Sequence, residues 1–262
     1  MLSSRGITYR YRHLMDDLYT LLPHSKREAK LDDKNDRAVL NEVAELKGCS
    51  SVIFFEVRKR RDLYLWLAKT PMGPSVKFLA ANVHTMGELK LTGNHLKGSR
   101  PLLSFDAQFE QLPHLQLCKE LLAQLFGTPK TCRRGMAFVD HVLSFTWLDG
   151  RIWVRNYQIA DEKGNPAGAR ADATALDALN LVEVGPRFCL LPIRAFAGAF
   201  RGATLYQNEK YLSPAQQRAA ERAEKQQDFE RKLKRKSKRK THEERFAPSV
   251  GEFDDLFAGG DE

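Results

Sequence analysis

Two Gly-Pro dipeptides, Gly73-Pro74 and Gly185-Pro186, constrain this chain more than any other feature. Each follows a pair of apolar runs and leads straight into another. The first pair is Ser51–Val57, with VIFFEV, and Leu63–Ala68, LYLWLA; the strand after Gly73-Pro74 carries Val76, Phe78, Leu79, Ala81 and Val83. The second pair is Val142–Trp147 and Ile152–Ile159, and the strand after Gly185-Pro186 begins Arg187-Phe188-Cys189-Leu190-Leu191. Both pairs read as hairpins. The second turns on Asp149-Gly150, a dipeptide suited to the positive φ of a tight hairpin turn. Hairpin, Gly-Pro and strand therefore occur twice, a weak internal repeat that points to two similar halves.

Helices are expected between these strands. Tyr9–Leu22 places Leu14, Leu18, Leu21 and Leu22 on one face and stops at Pro23. A second helix is expected from a cap at Asp36 to Leu46, with Leu40, Val43 and Ala44 inward and Gly48 just past its end. Leu115, Cys118, Leu121, Leu122 and Leu125 form a helical stripe that ends at Gly127 and Pro129, the pattern of a core helix. Pro101–Phe105 is a short apolar run. The Ala-, Asp- and Gly-rich stretch 161–180 reads as a surface insertion.

With 262 residues, 42% of them hydrophobic, the chain can bury a core as one large domain or two small ones. No apolar run approaches the roughly 20 residues a membrane helix needs, and the N-terminus lacks a signal-peptide pattern. Cys49, Cys118, Cys132 and Cys189 form no C-x-x-C pair, and the histidines show no zinc-type spacing. The cysteines are expected to be reduced, and neither a metal nor a cofactor is expected. Catalytic patterns are missing too. Gly93 to Gly98 lacks the Lys-Ser/Thr of a phosphate loop, no G-x-S-x-G elbow occurs, and Ser104 has no base placed by sequence. Asp140 and His141 are adjacent at a strand start. Neighbours in a strand point to opposite faces, so a structural role is expected rather than a shared site.

The net charge of +9 favours a polyanionic partner, although a merely basic surface carries the same charge. The cations are concentrated in loops. Arg58, Lys59, Arg60 and Arg61 fill the first hairpin turn, where adjacent like charges repel one another. Lys90, Lys97 and Arg100 lie in the stretch Gly73–Asp106, which Gly87, Gly93 and Gly98 punctuate. Such glycines can supply positive φ or a close backbone approach, and cations with free amides on a loop suit a phosphate. Lys130, Arg133 and Arg134 form another basic loop, and Arg187 follows the second Gly-Pro. Ser213-Pro214 starts a helix expected to reach about Lys240 with no continuous apolar stripe. Residues 231–240, RKLKRKSKRK, suit RNA, a nuclear or nucleolar address, or a solvated tail. The acidic end carries Phe253, Leu256 and Phe257, either a docking peptide or a free tail.

One stretch is distinctive enough to compare with a known family. Gly73-Pro74-Ser75, Glu88-Leu89-Lys90, Gly93-Asn94 and Leu96-Lys97-Gly98-Ser99-Arg100-Pro101-Leu102-Leu103-Ser104-Phe105-Asp106 resemble the signature of the Brix-domain family. The resemblance extends through Arg12-His13-Leu14-Met15, Pro23-His24-Ser25-Lys26, Leu181–Phe188 and Thr204–Asn208, covering about residues 3 to 211. Ala197–Gly202 departs from the family's glycine-rich form at Ala199 and Arg201. The resemblance implies an α/β (α+β) fold of two pseudo-repeated lobes, each similar to an anticodon-binding domain. The expected layout is a Brix domain over 1–211 (N-lobe about 1–112, C-lobe about 113–211), a basic helical extension over 212–245 and an acidic tail over 246–262.

The resemblance also implies a non-enzymatic factor in assembly of the large (60S) ribosomal subunit, acting in the nucleus and nucleolus. Its partners would be large-subunit pre-rRNA, other pre-60S proteins and a smaller helical assembly factor resembling the EBNA-binding protein. The basic loops would hold the RNA backbone through Arg58, Lys59, Arg60, Arg61, Lys90, Lys97, Arg100, Arg133, Arg134 and Arg187. The alternatives are a protein scaffold with incidental RNA contact and an enzyme acting on RNA.

Overall fold

A computed structural model describes residues 1–28, 30–31, 37–160 and 180–246. The chain divides into two units, Met1–Glu209 and Lys210–Glu262. The first unit contains β1 (Leu2–Ser3), α1 (Tyr9–Leu21), α2 (Ala38–Leu46), β2 (Ser51–Arg58), β3 (Asp62–Lys69), β4 (Ser75–His84) and α3 (Met86–Leu89). It continues with β5 (Pro101–Phe105), α4 (Gln108–Gln111), α5 (Pro113–Phe126), β6 (His141–Leu148), β7 (Arg151–Ala160), β8 (Asn180–Glu183), β9 (Arg187–Phe196) and β10 (Thr204–Gln207). Ten strands form one mixed sheet in the order β1-β2-β3-β4-β9-β7-β6-β5, with β8 beside β7 and β10 beside β9.

The internal repeat is visible in this order. Each half has a parallel pair (β1 with β2, β5 with β6), a hairpin (β2–β3, β6–β7) and a third strand after Gly-Pro (β4, β9). The two third strands pair antiparallel, from Ser75 opposite Phe196 to His84 opposite Arg187, and fuse the halves into one sheet. The strand order bears on the lobe boundary expected near residue 112, which we propose to lie earlier. β5 lies beside β6, reached through a crossover containing α4 and α5, so the second half begins before Pro101. A five-residue apolar run does not reveal from sequence which half it will pair with.

Both Gly-Pro steps require their glycine. Gly73 has φ +92°, and a Cβ there would sit 2.5 Å from the Ala197 carbonyl oxygen. Gly185 has φ +90°, with Leu89 Cδ1 2.9 Å from the same hypothetical atom. The Ala197–Gly202 turn thus packs closely despite Ala199 and Arg201. Ser75 Oγ donates to the Gly198 carbonyl (2.7 Å) and accepts from the Phe200 amide (3.0 Å).

Helices α1 and α5 cover one face of the sheet. Their expected stripes are buried against Ile53, Phe55, Leu65, Phe78, Phe145 and Val154. Cys118 belongs to this core, and burial pushes its thiol up to about 12. The other face of β2 and β3 is covered as well, where Phe54, Trp66 and Ala68 pack with Leu40 and Ala44 of α2 and with Ala199 and Phe200. Burial on both faces explains why VIFFEV and LYLWLA are nearly continuous apolar runs, whereas β7 alternates. Asp36, expected to cap α2, lies outside the described residues, and Arg37 occupies the cap position. The stretch 161–179 and the tail 247–262 also lie outside them. In the second unit, α6 (Pro214–Arg245) starts at a Ser213–Gln216 capping box and has no buried residue.

On the α2 face of β2, where Val52 and Phe54 are apolar, the next position is Glu56, only 2% exposed. Its carboxylate accepts from Trp66 Nε1 (2.8 Å) and Arg58 Nε (2.8 Å) and lies 3.4 Å from Lys77 Nζ. Lys77 also covers the Tyr64 and Trp66 rings. Burial, opposed by Glu56, pushes the Lys77 amine down to about 8. Burial pushes Glu56 up, but Lys77, the Trp66 N–H and Arg58 together hold it below the usual carboxylate range.

Removing one member strands the other in the interior. Glu56→Gln is expected to cost about 3 kcal/mol in chemical denaturation. The depressed lysine also has a pH signature. Above pH about 8 the unfolded chain binds the Lys77 proton more tightly than the folded one, until its ordinary value of 10.5 is passed. Stability of the parent relative to Lys77→Met should therefore rise across that window, and a flat difference would contradict the arrangement.

Candidate nucleic-acid interface

The strand registers decide which basic loops share an end of the sheet. Arg58 pairs with Asp62, and Leu63 faces Ala80, so the first hairpin turn lies beside the C-terminal end of β4. His84 faces Arg187, Tyr157 faces Glu183, Gln158 faces His141, and His141 faces Pro101. The first hairpin turn, the segment leaving β4 and the entries to β5, β6 and β9 are therefore at one end. All ten cations expected from the sequence to bind RNA lie in these segments. From β3 to β5 this end spans five strand spacings, roughly 24 Å.

The ten are not equivalent. Arg187 makes a two-pronged pair with Glu183 (2.8 and 2.7 Å). Arg58 bonds Glu56 and stacks over Tyr64. Arg100 donates to the carbonyls of Met136 (3.1 Å) and Lys130 (3.4 Å), bracing the loop before β6. These three are structural in the first place. Lys59, Arg60, Arg61, Lys90, Lys97, Arg133 and Arg134 are exposed and make no side-chain hydrogen bond or ion pair among the described residues. The acids at this end are occupied: Glu183 by Arg187 and Arg155, Glu88 by Arg10 and His84.

The first hairpin turn sacrifices backbone comfort to display charge. Lys59 and Arg60 both have positive φ (50° and 54°), and the Arg61 amide closes the turn on the Arg58 carbonyl (3.0 Å). In the second hairpin the equivalent positions are Asp149 and Gly150 (φ 53° and 71°), the residue types this turn prefers. A left-handed conformation costs an L-residue about 1–2 kcal/mol, so Lys-Arg is a poor choice for folding alone. Lys90 is a third cation in this conformation (φ 46°), at the end of α3.

A buried network anchors the loop that carries Lys97. Asp140 and His141 do not point apart as strand alternation suggested. Asp140 precedes β6, where the backbone is not yet pleated, and its Oδ1 lies 2.7 Å from His141 Nδ1. Asp140 Oδ2 accepts the Leu96 amide (2.7 Å), and Ser99 Oγ lies 3.0 Å from the same His141 nitrogen. The Met136 amide donates to the Gly98 carbonyl (2.7 Å), and the Asn94 amide donates to Gln158 Oε1 (2.7 Å). Burial lowers the His141 value, against the pull of Asp140, and the His95 ring stacks on His141 at 4.4 Å. His95, Asp140 and His141 bring three ligand-type atoms within 4.8 Å of one another, which their spacing in sequence did not suggest. The carboxylate is already spent on the loop, and the two rings stack face to face instead of converging on a point, which suits a structural latch better than an ion. The first turn of α1, which carries Tyr9, Arg10 and Arg12, also borders this end. Its signal, an aromatic pair four residues apart flanked by arginines, was present in the sequence but lay off the leucine face that defined the helix.

The family model for the Brix domain matches residues 4–194. The chain belongs to the Brix-domain family. The relatives of this Brix-domain chain include "Ribosome biogenesis protein BRX1 homolog 1" of Arabidopsis thaliana, 55% identical over 83% of this chain and 69% of that protein. "Ribosome biogenesis protein BRX1 homolog" of Homo sapiens is 54% identical over 82% of this chain and 57% of that protein. "Ribosome biogenesis protein BRX1" of Saccharomyces cerevisiae is 51% identical over 84% and 74%. The chain thus spans little more than half the length of the human relative. A crystal structure of a probable ribosomal biogenesis protein from Aeropyrum pernix K1 overlaps with a TM-score of 0.43 at 16% identity, covering 71% of this chain and 94% of that one. That likeness is too distant to carry the assignment, which rests on the family match.

Three substitutions separate the two classes of cation. Arg60→Gly removes both a charge and a left-handed L-residue, so the protein should gain about 1 kcal/mol in thermal denaturation. Arg100→Ala should lose about 1–2 kcal/mol and speed hydrogen exchange across 130–138, because two carbonyls lose their donor. Lys97→Ala should leave both readouts unchanged, and equal destabilisation by the two would show that Arg100 is not a brace.

Proposed function

We propose that this Brix-domain chain is a ribosome biogenesis factor that acts in assembly of the large subunit by holding the phosphate backbone of pre-rRNA. The observation that carries this reading is the set of seven exposed, unpaired cations at one end of the sheet, three of them (Lys59, Arg60 and Lys90) held in strained backbone. The naming of its relatives as ribosome biogenesis proteins supports the process. Backbone contacts provide affinity with little base information, so RNA shape and neighbouring proteins would supply specificity. The basic stretch 231–240, exposed on α6, adds a further electrostatic arm.

Its action would be in the nucleus and nucleolus, and it would work by binding rather than catalysis. Protein partners would dock along the sheet edges, where β5, paired with β6 on one side, leaves its outer edge open among the described residues and Leu102 exposed. A small helical assembly factor resembling the EBNA-binding protein fits that role. The scaffold reading, with incidental RNA contact, has no comparable observation in its favour, since the unpaired cations would then be strained without use.

Salt dependence tests the mechanism. If four of the cations meet phosphates, affinity for an rRNA fragment should drop about a hundredfold between about 50 and 200 mM salt. A flat response would refute phosphate holding. Crosslinking and sequencing of RNA bound to the tagged protein in cells should recover large-subunit precursors at the basic loops, and recovery of small-subunit precursors would overturn the 60S assignment.

A further inference from the structure

We propose that Tyr9, leaning on His13, is a stacking platform for an unpaired base in a single-stranded RNA segment whose phosphates lie on the surrounding cations. The proposal rests on the RNA-binding reading above and names the form of RNA that this end of the sheet selects.

Tyr9 is 75% exposed. The other phenylalanines, tyrosines and tryptophans described in the unit Met1–Glu209 are buried or half-buried. The ring is not loose, because His13, one helical turn on, holds it at a centroid distance of 4.0 Å and an interplanar angle of 51°. One side is thus supported while the rest of the ring faces solvent.

Helix geometry fixes the surroundings. Tyr11 points away from Tyr9, and its hydroxyl donates to the Arg61 carbonyl (2.5 Å), tying α1 to the basic hairpin turn. Arg10 and Arg12 flank Tyr9 on the helix surface, and both are exposed. The neighbouring acids are Glu88, which Arg10 meets at 3.4 Å, and Asp62 beside Tyr11. The first turn of α1 holds no acid.

An exposed aromatic face between two arginines, on a helix tied to a basic hairpin turn, matches the chemistry of a nucleotide. Every base offers a π face, while the arginines and lysines take the phosphates. Duplex RNA keeps its base faces stacked inside the helix, so the platform distinguishes unpaired from paired segments. A protein anchor would want an apolar rim instead, and here Arg10 and Arg12 flank the ring on the helix surface, with the Lys59–Arg61 turn reached across α1 through Tyr11.

The test compares a fluorescein-labelled single-stranded RNA of mixed sequence with a duplex of equal length, by anisotropy, using the full chain at one salt concentration. Tyr9→Ala should weaken the single strand about tenfold and leave the duplex unchanged. Tyr9→Phe keeps the ring and should bind like the parent. Lys59→Ala combined with Arg60→Ala should weaken both RNAs. Single-strand binding by Tyr9→Ala equal to the parent would overturn the proposal, as would equal losses on both RNAs or a Tyr9→Phe variant as weak as Tyr9→Ala. Loss of a co-purifying protein with both RNA affinities intact would overturn it too, assigning Tyr9 to a protein contact. A parent chain that binds neither RNA defeats the RNA reading itself. A parent that binds both, with Tyr9→Ala unchanged, defeats the platform alone.

Discussion

The antiparallel pairing of β4 with β9 is the constraint on which the rest depends. Each half alone would end in a third strand with one unpaired edge, and such edges demand partners. Pairing the two edges satisfies both backbones and makes one sheet. It also decides what the ends of that sheet carry. Because β4 and β9 run in opposite directions, equivalent features of the two halves fall at opposite ends. The first hairpin turn joins the entry loops of the second half at one end, and the second hairpin turn goes to the other. A repeat in topology therefore produces two unlike ends. One turn, Arg58–Arg61, carries four cations; the other, Leu148–Arg151, carries one.

That inequality shows where folding and function diverge. Both turns need two residues in the left-handed region, and the second uses residues that tolerate it. Lys59 and Arg60 accept the cost where their charges repel each other as well. A counter-charge relieves the repulsion but not the backbone strain, so the turn is least favourable when unbound. The buried Glu56–Lys77 pair supports the same region from below. It fixes β2, β3 and β4 through Trp66 and Arg58, so the strained turn is mounted on a part of the sheet whose register is well determined.

Much of the fold was legible because periodicity reports burial. The leucine stripes of α1 and α5, both hairpins and the Gly-Pro repeat lie where the apolar spacing put them, within one or two residues. Boundaries and side-chain partners were less legible for physical reasons. The allegiance of Pro101–Phe105 depends on a parallel partner forty residues away, which no local pattern encodes. Charge and loop placement located the basic end but could not distinguish free cations from bound ones. Arg187 meets Glu183 across the second Gly-Pro, and Arg100 meets carbonyls thirty and thirty-six residues on. The Asp140–His141 contact was misread because alternation was applied one residue before the pleat begins.

These partners change what the family resemblance means. The run Leu96–Asp106 carries most of that resemblance, and two of its polar side chains and one of its amides are spent inside the protein. Ser99 meets His141, the Leu96 amide meets Asp140, and Arg100 braces the loop ahead of β6. Only Lys97 in this run offers a free cation. The motif therefore reports a way of closing one loop onto the start of β6, a requirement of the fold. The unpaired charge sits mostly outside it, at Lys59–Arg61, Lys90 and Arg133–Arg134, in exposed turns. The fold holds the rim in place, and the residues on the rim set the charge it presents.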